Sequence, residues 1–188
     1  MRYFKLVYDY DSDEDYVILA SSKSAESYDN KIVQGEFIKE WDNSMKFEYN
    51  VEEGKILTDY LASDNRWMIV SKKFRDLMKE IVAEHIQYLD INIINSLTKE
   101  ENNTYKVANV IKHLDALDLK NSVYDYFELD DEKILYVEKY ALKKDVIKNC
   151  DIFKLKGETL PVFVSEKVKD IVEKNSLIGF QFLEVKVI

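Results

Sequence analysis

"MIVSKKFRD" (residues 68–76) returns 94 residues later as "VFVSEKVKD" (162–170). With residues 68–94 set above 162–188 without a gap, seven of 27 positions are identical: Val70/Val164, Ser71/Ser165, Lys73/Lys167, Asp76/Asp170, Gln87/Gln181, Leu89/Leu183 and Ile94/Ile188. Other pairs keep their character, among them Phe74/Val168, Leu77/Ile171, Tyr88/Phe182 and Ile91/Val185. Each copy opens on an apolar run, 68–70 or 162–164, that reads as a buried strand. Ser71 or Ser165 then stands where its side-chain oxygen can accept from a free amide of the next turn, so both read as helix N-caps rather than nucleophiles. Phe74, Leu77, Met78, Ile81 and Val82 follow at helical spacing, matched by Val168, Ile171 and Val172. Alternation closes each copy: Ile86, Tyr88 and the Ile91/Ile93 pair in one, Phe180, Phe182 and the Val185/Val187 pair in the other. Gly179 sits where the second helix must stop. The unit is strand–helix–strand. An ancient duplication explains it, and so does convergence of any Ser-capped helix between strands on similar letters.

The rest of the chain fits an α+β domain with a mixed or antiparallel sheet. "RYFKLVYDY" (2–10) and "DYVILAS" (15–21) read as strands around an acidic connection. Between Lys31 and Leu61 the pattern is weak, with "EFIKEW" (36–41) and "MKFEYN" (45–50) as candidate strands. "LTKEENNT" (97–104) reads as a loop, and "YKVANVIKHL" (105–114) fits either a helix or a strand. "VYDYFEL" (123–129) and "KILYVEKYAL" (133–142) form a hairpin pattern about Asp130-Asp131-Glu132, and Pro161 suits the first residue of a strand. No Ser/Gly-rich linker divides the 188 residues, so a single domain 1–188 is the economical reading, with 1–60 as a candidate N-terminal subdomain.

Asp and Glu outnumber Lys and Arg 36 to 27, a net charge of −9, with only three arginines. Nucleic-acid binding needs clustered cations, so this balance argues against it and favours solubility or a basic protein partner. Cys150 is the single cysteine, so no internal disulfide forms and the reducing cytoplasm is the expected compartment. No run of 18 apolar residues offers a membrane span.

Candidate chemistry is thin. Asp9, Asp11 and Asp13 match the first three ligand positions of a calcium loop, but Glu14 stands where the turn needs Gly and Ala20 where a Glu must ligate. The run Asp9, Asp11, Asp13, Glu14, Asp15 reads instead as a solvated acidic patch for basic side chains. Cys150 lies next to Asp151, which disfavours a thiolate, and His85, His113 and Cys150 share no zinc spacing. No cofactor is implied. Trp41, Trp67, Tyr124 and Tyr126 lie near turns or in mixed patterns, where aromatic rings can anchor a protein interface.

The second half carries a resemblance. Leu117-Asp118 with Ser122, then Ile152-Phe153-x-Leu155, Val164-Ser165 before a helix, and Gly179, Phe182 and Val185 follow a recurring pattern. It is similar to that of bacterial immunity proteins from polymorphic toxin systems, the immunity family eleven type, first catalogued as a domain of unknown function. The likeness covers roughly residues 60–188. It implies a small cytoplasmic protein that binds a cognate toxin protein and blocks it, and it carries over no interface residues; the chain itself is expected to be non-enzymatic and monomeric or weakly dimeric when free. Two other readings stay open: an enzyme using carboxylates such as Asp118 or Glu128 in a cleft, and a structural homo-oligomer.

Overall fold

The computed structural model describes residues 1–129 and 132–188. In chain order the first half holds β1 (Tyr3–Tyr8), β2 (Ile18–Ser21), α1 (Glu26–Gln34), β3 (Lys46–Tyr49), β4 (Tyr60–Ser63) and β5 (Ile69–Val70). Then come α2 (Lys72–Val82), β6 (Ile86–Asp90), β7 (Asn92–Asn95), β8 (Glu101–Asn102), β9 (Lys106–Val110) and β10 (His113–Leu114). The remainder is β11 (Val123–Leu129), β12 (Glu132–Lys139), β13 (Ala141–Leu142), α3 (Lys144–Ile147), β14 (Ile152–Leu155), β15 (Glu158–Ser165), α4 (Glu166–Lys174) and β16 (Phe180–Val187). The class is α+β with mixed sheets. Eight strands order as β6-β9-β5-β4-β2-β3-β7-β8, six as β10-β14-β15-β1-β16-β13, and β11 pairs β12 alone. The expected turn at Asp130-Asp131 lies outside the described residues. Among the described residues no helix is long and apolar enough to cross a membrane.

The two modules are the same object at the level of hydrogen-bond register. The run β6-β9-β5-β4-β2 repeats as β16-β1-β15-β14-β10. Within each, the strands flanking the helix are separated by an intercalated antiparallel strand, β9 in one and β1 in the other. Tyr60↔Val70 answers Ile152↔Val164, and Ile69↔Val107 answers Phe163↔Lys5. Ile86↔Val110 answers Phe180↔Tyr8, and the outer strands β2 and β10 both run parallel to their neighbours. This shared register goes beyond a capped helix between strands, and it is what a duplicated unit would give.

Equivalent side chains make equivalent bonds. The Ser71 hydroxyl donates to Asp59 at 2.6 Å, and that of Ser165 to Asp151 at 2.6 Å. The amides of the same serines bond the carbonyls of the same aspartates. Ser71 also accepts from the Phe74 amide at 3.1 Å, as an N-cap should. Ser165 holds the N-cap position, but its side chain makes no capping bond, a correction to its expected role; its hydroxyl is committed to Asp151 instead.

Both helices bury their apolar stripes in one core. Phe74, Met78 and Val82 of α2 meet Val168 and Val172 of α4, with Phe4, Val70, Val110 and Val164 from the sheets. Burying each such side chain stabilises by about 1.5–3 kcal/mol before entropy is counted. A second core, beneath the eight-stranded sheet, centres on Phe47, Leu61, Trp67, Ile69 and Ile93. A third lies under the six-stranded sheet and holds Tyr3, Phe153, Phe163 and Tyr140.

The stretch 105–114, open between helix and strand, is the strand β9 followed by the short β10. Val107, Ala108, Asn109 and Val110 are all buried, so no alternation shows, and the β-branched residues fit a pleated surface. Residues 36–41 are not a strand. Their backbone is held beside β6 by one side chain, Gln87, whose amide accepts from the Ile38 N–H at 2.9 Å and donates to its carbonyl at 2.7 Å. The loop expected at 97–104 contains the two-residue β8. Of residues 1–60, β1 lies inside the six-stranded sheet, while β2 and β3 belong to the eight-stranded one.

Candidate partner-binding surface

A proline shapes one concavity of the surface. Pro161 is the fourth residue of β15, not the first of its strand as expected, and it has no N–H to give β14. The β14–β15 register accordingly slips there, from Lys154↔Val162 to Leu155↔Glu158, and the β1–β15 ladder ends at Leu6↔Val162. A cleft of about 550 Å³ opens at this point, with Tyr8, Tyr60 and Val110 in its lining and Phe127 and Tyr136 of the β11–β12 arm along one wall. Four of its lining side chains are largely in solvent: Tyr10 at 65%, Leu160 at 59%, Tyr136 at 58% and Phe127 at 48% exposure. Clustered exposed apolar surface of this kind marks an interaction site more often than scattered single residues do.

Two polar groups of the cleft, Lys154 and Tyr140, already have partners. Lys154 is buried, and its ammonium donates to Thr159 O at 2.7 Å, a carbonyl within the bulge, and to Val33 O at 2.8 Å, in the last turn of α1. Burial lowers its pKa to about 8, against the opposing pull of Glu158. Tyr140 donates to Glu158, and burial together with that carboxylate pushes the phenol pKa up. Asp118 and Glu128, the carboxylates considered for catalysis, do not line the cleft. Asp118 is bound by Asn121 at 2.9 Å, which holds its pKa below the ordinary range.

Lys154 makes stability pH-dependent in a defined direction. Between the folded pKa of about 8 and the unfolded 10.5, the unfolded chain keeps a proton that the folded chain has released, so stability rises with pH across that window. The neutral amine still donates to both carbonyls. Chemical denaturation should show a gain of about 2 kcal/mol for the wild type relative to Lys154→Met between pH 8 and 10. The buried tyrosines and Cys150 are common to both proteins, so they cancel in the difference. Parallel curves would show that Lys154 is charged throughout.

The acidic run lies on the exposed loop between β1 and β2. Asp9 accepts from the amide of Asp11 and the hydroxyl of Ser12, and Asp13 accepts from the amide of Asp15, so two of its carboxylates turn their own loop. Asp11, Glu14 and Asp15 are exposed beside Tyr10 of the cleft. Among the described residues no group of three or more His, Cys, Asp or Glu side chains could hold a metal ion. Tyr124 and Tyr126 are exposed on β11, 5.7 Å apart edge to face. Trp41 is half-buried; its indole N–H donates to Asp90 O at 2.7 Å and its ring packs on Tyr28. Trp67, expected as a surface anchor, is corrected to a core residue: it is 1% exposed among Trp41, Phe47 and Ile69.

The fold does bring Cys150 within 3.7 Å of the Nδ1 of His85. Burial raises the thiol pKa and lowers that of the imidazole, so both groups are biased toward neutrality and away from a thiolate–imidazolium pair. The duplicated register explains the thiol. Cys150 donates to Ile152 O as Thr58, its counterpart, donates to Tyr60 O. His113 is likewise structural, its ring nitrogens held by the carbonyls of Ile111 and Gln34.

Ser71, Ser165, Phe153, Gly179 and Phe182, the motif positions, all serve caps, strands or their junctions. Leu117 bridges Leu142, and the Ser122 hydroxyl joins Asp118 O to the Ala141 amide, closing the turn before the arm. A family model described as "Immunity protein family (Imm11)" matches residues 3–187. The chain belongs to this immunity protein family. The match extends the resemblance from residues 60–188 to almost the whole Imm11 chain, including the tyrosine-rich start that forms β1. No curated protein matches it. Of the residues that line this Imm11 protein's cleft, sequence reading missed Tyr10, Phe127, Tyr136 and Leu160. Tyr10 sits within the acidic run itself, and Phe127 neighbours Tyr126 on the opposite face of β11, so alternation was the available signal.

Proposed function

We propose that the chain neutralises a cognate bacterial toxin in the cytoplasm by stoichiometric occlusion, acting as one α+β unit without chemistry of its own. The observation that carries this reading is the immunity-family match over residues 3–187. The exposed aromatic rim of the cleft supplies a surface suited to it, with Tyr10, Phe127 and Tyr136 as anchors and Tyr124 and Tyr126 on the other face of the arm. Aromatic anchors supply residence time, while the carboxylates of residues 9–15 and the net charge of −9 speed encounter with a basic partner. A complex of standard size buries roughly 1,200–2,000 Å² in total, more than the cleft alone provides, so the arm and the acidic loop both contribute.

The test is co-expression with the toxin encoded beside this gene. Growth should be restored by the wild-type chain, and the two proteins should co-elute as a one-to-one complex on size exclusion. Undiminished killing with no complex would reject the reading.

A further inference from the structure

The β11–β12 arm is an unfinished sheet. Among the described residues it has two strands, and no third lies along the outer side of β11. Isolated two-stranded hairpins are marginal in water, and a long exposed edge is a template for another chain. Val123, Tyr124, Tyr126 and Phe127 are each more than two-fifths exposed. One hydrogen bond identifies the open side. In an antiparallel ladder, the amides of alternate residues point to the paired strand and to the open edge. The Tyr126 amide donates not to β12 but to the carboxylate of its neighbour Asp125, at 2.7 Å. Tyr126 therefore faces outward, and Tyr124 and Glu128, in register with it opposite Val137 and Lys133, share that orientation.

We propose that β11 is a docking edge to which the toxin adds a third strand, and that the added strand is an extended segment alternating apolar with lysine or arginine side chains. This rests on the function proposed above and specifies its binding mode. Charge selects the basic segment: residues 123–139 carry six carboxylates against two lysines. The acidic loop, which shares the cleft with the arm through Tyr10, adds five more. The alternating rings of β11 select the apolar positions, with Tyr124 and Tyr126 on one face and Phe127 on the other. Asp125 occupies the open amide until the incoming strand's carbonyl replaces it, which keeps the free edge from pairing indiscriminately.

The experiment uses the full chain and the purified toxin encoded beside it. Residue-resolved hydrogen exchange should slow at least 100-fold at the amides of Tyr124, Tyr126 and Glu128 on complex formation. Glu128→Pro removes an outward amide while leaving the β12 ladder its donors, and should weaken binding roughly 10- to 100-fold. Glu128→Ala keeps the main chain and should weaken it no more than about threefold. Unchanged exchange at the three amides in a formed complex overturns the docking edge and leaves the immunity reading standing, as does equal binding by the two Glu128 variants. Absence of any complex with the wild type overturns both. Protection of these amides in the chain alone, with a dimer by light scattering, assigns the edge to a second copy and overturns the proposal.

Discussion

Gly179→Ala is expected to cost roughly 3–4 kcal/mol and to lower Tm by about 10 °C. Gly179 has φ +90°, a conformation that L side chains rarely adopt. An added Cβ would also lie 2.3 Å from Tyr60 O and 2.9 Å from the Thr58 Cβ, and the first of these is backbone that cannot swing aside. The close approach has a purpose. The amides of Asp59 and Tyr60 both bond the carbonyl of Ile178, and the Ile178 amide bonds the Asp59 carboxylate at 3.2 Å, so the turn before β16 is stitched to the start of β4. In the other module the equivalent position is His85, which does carry a side chain and meets Cys150. His85 is not in the left-handed region that Gly179 adopts, so the two halves differ in backbone path at this junction. Thermal unfolding followed by circular dichroism reads the effect directly; a shift under 3 °C would mean that the junction relaxes.

Trp67→Ala should be still more costly, about 3–5 kcal/mol, because it empties the largest fully buried side chain of the second core. Trp67 contacts Trp41 and Phe47, at ring-centroid distances of 6.1 and 5.8 Å, and its indole N–H donates to Asp29 of α1 at 2.8 Å. Removal therefore loosens α1 as well as the sheet. Trp67→Phe keeps most of the apolar area and loses the hydrogen bond, at roughly 1–2 kcal/mol, since half-buried Asp29 can turn to water. Urea denaturation gives both numbers. The comparison also separates two roles for this ring: a core residue lowers stability and leaves the affinity of the folded fraction for toxin intact, whereas a surface anchor does the reverse. Loss of binding at full stability would contradict the packing described.

The modules were legible because each repeats a local grammar: an apolar strand, a serine, then Phe74 or Val168 at the start of a helical stripe. The helix α1 was not, because Ile32 is its single buried residue and so no stripe is visible. Its end is defined by Gly35, with φ +68°, whose amide bonds Ile32 O; Val110 O also leaves no room for a Cβ there, a long-range contact that local sequence cannot express. The partner strand of β15 and β16 was equally hidden, since β1 lies at the opposite end of the chain. At the candidate surface, the exposed tyrosines of β11 and the acidic run were readable as composition. The cleft that joins them was not, since it arises where Pro161 breaks register between strands already in place. Trp67 failed for a related reason: its burial follows from α1 and β3 packing over it, and neither element announces the contact.

The placement of β1 has a consequence for biosynthesis. β1 must wait for β16, which is translated long after it, since Tyr3 and Tyr8 pair with Val185 and Phe180. The module containing β9 can close on itself while translation continues; the one completed by β1 cannot. Assembly is therefore ordered, with β1 unpaired until β15 and β16 leave a slot between them, a long loop to close and a slow step by its topology. Appearance of the native fold then lags synthesis of the polypeptide by the time this strand takes to insert.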